Sequence, residues 1–216
     1  TLHDAEDFAE ILTDVGFEAM LLTDKTAPNG LVTKNLMKKF RREFLTTLTN
    51  MGAINTVVVF AYMGHGAEYD GKQYLLPQDW DEDDPRALRD EAMCLQETLT
   101  QIEEKNPLAT LAFLDCCREH VELQRGGIFG GGGLSALKGP AGSLVMYAAG
   151  QGKLAADGRE GARNGAFTTA LLKHLARPGL ELADMAVDVT NAVKQTTGGQ
   201  QVPEYVSKLT EKNLCL

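Results

Sequence analysis

The chain reads as one α/β domain, a three-layer α/β/α sandwich on a mostly parallel sheet, and three observations predict it. Two runs, TVVVFAY (residues 56–62) and ATLAFLD (residues 109–115), are continuous and apolar, the pattern of strands covered on both faces of a parallel sheet. Helical periodicities alternate with them, and that alternation builds such a sandwich. At 216 residues with 44% hydrophobic side chains, the chain is long enough for a single sizeable core.

In chain order, HDAEDFAEILTDVG sets Ala5, Phe8, Ile11, Leu12 and Val15 at three- and four-residue spacing ahead of Gly16, an amphipathic helix with a glycine stop. FEAMLL (residues 17–22) follows as a short strand, and APNG is turn-prone. VTKNLMKKFRREFLTTLTNMG is a second helix, with Thr33 as N-cap, one stripe of Leu36, Phe40, Phe44 and Leu48, and a solvated basic face. QYLLP reads as a small strand, DWDEDDPRALRDE as an acidic loop, and LQETLTQIEEKN as a helix leading into the second buried strand. RGGIFGGGGLSALKGPAG holds too many glycines for a regular element and reads as a mobile loop, so the domain divides into a front part (1–124), a linker (125–142) and a back part (143–216). The back part offers a strand in SLVMYAA, a loop in GQGKLAADGREGARNG and a helix in AFTTALLKHLA that stops before Pro178. A further helix, LADMAVDVTNAVKQT, and a closing PEYVSKL segment complete it, and no internal repeat is visible.

The net charge of -9, with a pI near 5.0, argues against nucleic-acid and anionic-membrane partners, which need a cationic face, and favours a basic substrate. Four cysteines, two of them adjacent, do not make a disulfide scaffold, so free thiols in a reducing, cytoplasmic compartment are expected. No run of 18 apolar residues and no signal peptide is present, although the start at Thr1 leaves room for a removed leading segment.

The two buried strands end in GHG (residues 64–66) and DCCR (residues 115–118), which carries a histidine and a cysteine to one edge of one sheet. An imidazole within reach of a thiol generates or stabilises the thiolate that attacks a carbonyl, and glycines beside His65 let backbone approach a substrate closely. The Gly66 and Cys117 amides would then form an oxyanion hole. Each motif alone is weak, since GHG is often a plain turn and a buried cysteine is usually inert packing. Their occurrence at successive strand ends is what favours a dyad. Side chains alternate along an extended chain, so Asp115 and Cys117 face one side and Cys116 the other, as a core residue.

YMGHGAEYDGKQYLLPQD, FLDCCRE and MYAAGQGKLAADGREGARNGAFTTALLKHL, in this order, resemble the caspase-fold cysteine peptidases, closest to the paracaspase, orthocaspase and metacaspase branch. The resemblance runs from about Asp4 to Leu209. It implies a caspase-like sandwich and a protease whose nucleophile sits in D-x-C-R, hence Cys117, with His65 as general base and an acyl-enzyme intermediate. It also implies a substrate pocket for the residue before the cleaved bond (S1) made by Asp4, Asp115 and Asp157. Clustered carboxylates select arginine over lysine, because guanidinium pairs bidentately, and they repel aspartate. Peptides or proteins with exposed Arg or Lys are the implied substrates, self-cleavage is expected after Arg125 or Lys138 in the linker, and pairing of two copies through the last strand is the implied assembly.

No cofactor is needed for this chemistry. Calcium is raised by Asp79 to Asp84, but that loop lacks the ligand order of an EF-hand, and YLLPQD resembles the calcium-independent pattern, so it reads as a solvated loop and no metal ligands are assigned. His3, His120 and His174 lack metal partners at suitable spacing. Two departures stand out: Met63 occupies a position that is small in the family, and the hydrophobic strand that precedes the Asp4 helix inside the family's sheet is absent from this sequence. The rival readings are a catalytically silent scaffold of the same fold, favoured by that missing strand, and a hydrolase of small esters or amides, for which the acids would serve no purpose.

Overall fold

The computed structural model describes residues 2–80, 87–116, 119–120, 139–150 and 162–216. Helix α1 (Leu2–Asp14) closes with a turn at Gly16, where φ is +97°. Helix α2 (Lys34–Met51) ends on Gly52 in the left-handed region, and strand β1 (Val57–Gly64) follows. Strands β2 (Gly66–Tyr69) and β3 (Lys72–Leu75) form a hairpin. A short helix α3 (Leu88–Glu91), strand β4 (Met93–Cys94) and helix α4 (Leu95–Glu103) lead into β5 (Ala109–Cys116) and β6 (Glu119–His120). Strand β7 (Ser143–Tyr147), helices α5 (Ala166–Leu175) and α6 (Leu182–Thr196), and strand β8 (Glu204–Ser207) complete the chain.

The large sheet runs β1-β5-β7-β8, parallel except for β8, and the small one runs β4-β3-β2-β6. Strand β5 lies inside the large sheet, and its side chains show the two-residue alternation of a strand covered on both faces. Leu111 and Phe113 pack under α1, α5 and α6, with the Phe8 and Phe113 rings edge to face at 5.5 Å. Ala112, Leu114 and Cys116 pack on the opposite face against α2, α4 and the small sheet. The result is the three-layer α/β/α arrangement. Among the described residues no helix is long and apolar enough to cross a membrane.

Two expectations are corrected. FEAMLL is not a strand: residues 17–23 carry no sheet hydrogen bonds, because the nearest sheet edge, β1, stands across a cavity of ≈ 1050 Å³ instead of against them. That cavity is lined by residues 17–24 on one side, residues 56–65 on the other, and α1 and α2 above and below. The outer edge of β1 has no strand partner among the described residues, which leaves all of β1 except Val58 half-buried rather than fully covered. The cavity runs along that outer edge of β1. On α2 the inward stripe is displaced by one residue at its start, with Met37 buried and Leu36 half-buried, while Leu48 closes it as expected.

The start of α2 explains one acid of the loop after β3. The Thr33 hydroxyl accepts from the Leu36 amide at 3.3 Å, and Asp79 Oδ1 accepts from the Lys34 amide at 2.9 Å, so two of the helix's unpaired N–H groups are satisfied. The Asp79 charge also lies at the positive end of the helix. The rest of the acidic loop, Asp81 to Asp84, lies outside the described residues. Thr33→Ala and Asp79→Ala are each expected to lower unfolding free energy by about 1 kcal/mol, read as a shift in the urea midpoint at unchanged slope.

Candidate active site

His65 is the single residue between β1 and β2, the point at which the chain leaves the large sheet and enters the small one. Its carbonyl accepts from the Leu76 amide at 2.9 Å, and Tyr62 places its hydroxyl 2.8 Å from that carbonyl and 2.7 Å from the Leu76 carbonyl. Desolvation, with the Cys116 thiol nearby, pushes the Tyr62 phenol above its ordinary range, so it stays a neutral donor. Gly64 makes this packing possible, since a β-carbon there would stand 2.8 Å from Tyr62 Oη. The backbone at His65 is therefore held from two sides while its side chain is exposed. Gly66, next in the chain, is buried and opens β2 opposite Leu75.

The second motif arrives on β5. Gly64 pairs with Cys116 in the large sheet, and Ala67 pairs with Glu119 in the small one, partners 52 residues apart in both. Strands β1 and β5 thus pair in the large sheet, and the strands next in the described chain after each, β2 and β6, pair in the small one. Cys116 is 1% exposed and meets the Gln73 amide at 3.9 Å. Asp115 faces the other way, toward α5, and accepts from the Thr168 hydroxyl at 3.0 Å. Cys117, Arg125, Lys138 and Asp157 lie outside the described residues.

Asp4 comes to Asp115 from the far end of the chain's order. It is 2% exposed, and its Oδ1 accepts from the Gly165 amide at 2.9 Å. One turn further along α1, Asp7 takes a bidentate pair from Arg163, at 2.7 and 2.6 Å, and a third bond from Asn164 at 2.9 Å. Asp4 and Asp7 share a helix face, so one face of α1 grips residues 163–165 and with them the start of α5. Both Asp4 and Asp115 then stand beside the positive end of α5, which eases the repulsion between two carboxylates. Asp4, His65, Asp115 and Gly165 line one cavity, the one that opens beside β1. Among the described residues no three His, Cys, Asp or Glu side chains gather as a metal ion requires.

Asp7, Arg163 and Gly165 were not singled out by the sequence, and the one available signal was the i, i+3 pair of acids on α1. The Arg163 guanidinium, helped by the Asn164 amide, holds the Asp7 carboxyl well below the carboxylate range, at about 2. A depressed carboxyl contributes stability above its unfolded value, near 3.9, that disappears as pH falls through about 2. Arg163→Ala is therefore expected to melt below the parent at pH 6 and level with it near pH 2, a modest difference because the arginine is largely exposed.

A family model described as caspase domain matches residues 1–214 of the chain. The crystal structure of caspase-1 from Spodoptera frugiperda superposes with a TM-score of 0.61 over 97% of this chain and 78% of that one, at 16% identity, a likeness of fold. No curated protein matches the sequence. The sheet order and a family match over almost the full length agree, and the chain belongs to the caspase domain family of cysteine peptidases.

Proposed function

We propose that the protein is an endopeptidase that cleaves after basic residues, arginine over lysine, with Cys117 as nucleophile and His65 as general base. The observation that carries this reading is the pairing of β1 with β5 up to the last residue before each motif's reactive side chain. Gly64, the residue before His65, pairs with Cys116, the residue before Cys117 in the sequence. The family supports the chemistry. The approach of Asp4 to Asp115 at Gly165, in the cavity that His65 also lines, supports the preference for a cation.

In the reaction, the Cys117 thiolate adds to the carbonyl carbon before the scissile bond, and the Gly66 and Cys117 amides receive the oxyanion. Imidazolium His65 gives its proton to the departing amine as the C–N bond breaks, which leaves a thioester. Water, deprotonated by His65, then releases the acid and restores the thiolate. Asp4 and Asp115, joined by Asp157, hold the guanidinium of the substrate. Arginine offers two parallel donors to such carboxylates, whereas lysine is a point charge. The linker arginine, Arg125, and after it Lys138, are the sites at which the enzyme would process itself. The outer edge of the large sheet at β8, the last strand of the order among the described residues, is where a second copy would add its own last strand.

Fluorogenic peptides ending in arginine, lysine or aspartate test this directly. Release after arginine exceeds that after lysine, is absent after aspartate and is equal with and without calcium. Cys117→Ala abolishes it and stays uncut in the linker, while Cys116→Ala keeps most of it. Asp115→Asn lowers kcat/KM for the arginyl peptide by about tenfold to a hundredfold, the worth of one charged hydrogen bond. Release after aspartate alone overturns the pocket, and no release together with no labelling of Cys117 by an arginyl chloromethyl ketone identifies a silent scaffold.

A further inference from the structure

We infer that Tyr62 is a positioning residue for the reaction, whose hydroxyl fixes the peptide plane between His65 and Gly66 and so aims the Gly66 amide at the oxyanion. The inference rests on the cysteine-peptidase reaction proposed for this site.

A peptide unit is planar and trans, so its C=O and its N–H point in opposite directions. The carbonyl of His65 and the amide of Gly66 belong to one such unit. Whatever holds the His65 oxygen therefore sets the direction of the Gly66 N–H. Two groups hold it: the Leu76 amide donates to it at 2.9 Å, and the Tyr62 hydroxyl lies 2.8 Å away. The same hydroxyl lies 2.7 Å from the Leu76 carbonyl. One phenol thus joins β1 to the residues on either side of the hairpin of β2 and β3, His65 before it and Leu76 after it.

The pairing of the hairpin sets where that amide points. His65 and Leu76 meet at its open end through the Leu76 N–H, and the next pair inward is Gly66 and Leu75. Antiparallel partners alternate between bonded and non-bonded pairs, so the Gly66 N–H turns away from β3. On that other side β2 pairs with β6, through Ala67 and Glu119. In the sequence Cys117 stands two residues before Glu119, so the amide is turned to the edge that the nucleophile's segment joins.

The phenol suits a fixed role. Burial raises its ionisation above the ordinary range, so the proton that the carbonyls require stays in place. Gly64 leaves it room, since a β-carbon there would stand 2.8 Å from Tyr62 Oη and 2.9 Å from Cζ. The hydroxyl is engaged by backbone carbonyls, and its effect on the reaction passes through the Gly66 amide. An oxyanion develops only as the carbonyl is attacked, so a misaimed amide lowers kcat and leaves substrate binding alone.

Tyr62→Phe removes the hydroxyl and keeps the ring. With the fluorogenic peptide that the parent cleaves best, kcat falls about tenfold while KM stays within about twofold. Alkylation of Cys117 by iodoacetamide, a displacement at saturated carbon that forms no oxyanion, keeps the parent's rate and pH profile. An unchanged kcat overturns the inference. So does a fall in kcat joined to an alkylation profile displaced toward that of His65→Ala, because Tyr62 then acts on the imidazole instead. Should Tyr62→Phe fail to fold, Gly64→Ala, whose β-carbon displaces the phenol, is judged by the same two readouts. A parent that cleaves none of the peptides overturns the proposed reaction and this role with it, a result distinct from an active parent and an equally active Tyr62→Phe.

Discussion

Strands β1 and β5 pair through Gly64 and Cys116 in the large sheet, β2 and β6 pair at Ala67 and Glu119 in the small one, and the proposed site depends on that register. A slip of one residue in a strand turns every side chain to the opposite face. On β5 such a slip would put Asp115 into the core beside Leu95 and Leu99 and turn Cys116 toward α5. The register is secured twice, by the full length of the β1 and β5 pairing and by the small sheet beyond it. The Tyr62 hydroxyl and the Leu76 amide hold the carbonyl of His65 between the two.

The acids depend on that arrangement and on a second one made by helices. Asp115 is set by β5, but Asp4 belongs to α1 and Gly165 to the start of α5, elements far apart in sequence. They are brought together because α1, α5 and α6 bury one common face of the large sheet, with Phe8, Phe113 and Phe167 in a single cluster. Polar contacts then fix the fine position. Asp7 holds Arg163 and Asn164, and Asp4 holds the Gly165 amide, so residues 163–165 follow α1. The cavity beside β1 reaches these residues, and Asp4, Asp115 and His65 are all among its lining.

Much of this was legible in the residues. The β-branched run 57–62 and the apolar run 109–114 identify their strands without help, and the long amphipathic helices follow from periodicity. The motif residues lie at strand ends because glycine and charge interrupt those runs there. Other features leave no such trace. GAEY, MC and EH, strands of the small sheet, are too short and too mixed to show a period of two, and they form because β3 pairs with GAEY and MC, and GAEY in turn with EH. FEAMLL has the composition of a strand and lacks a neighbouring edge, so composition misleads. Asp79 reads as one more acid in an acidic loop, and its bond to the Lys34 amide spans 45 residues. Gly165 reads as a loop glycine until its neighbours are known.

Reactivity of the thiol measured against pH bears most directly on whether the shared register makes a dyad. Alkylation of Cys117 would be followed across pH 5 to 10 in the parent and in His65→Ala, with Cys116→Ala as background to remove the second thiol. The account predicts that the parent reacts near neutral pH, below the usual range for a thiol of about 8.5, and that loss of the imidazole moves the profile up toward that value. Superimposable profiles in the presence and absence of His65 would contradict it.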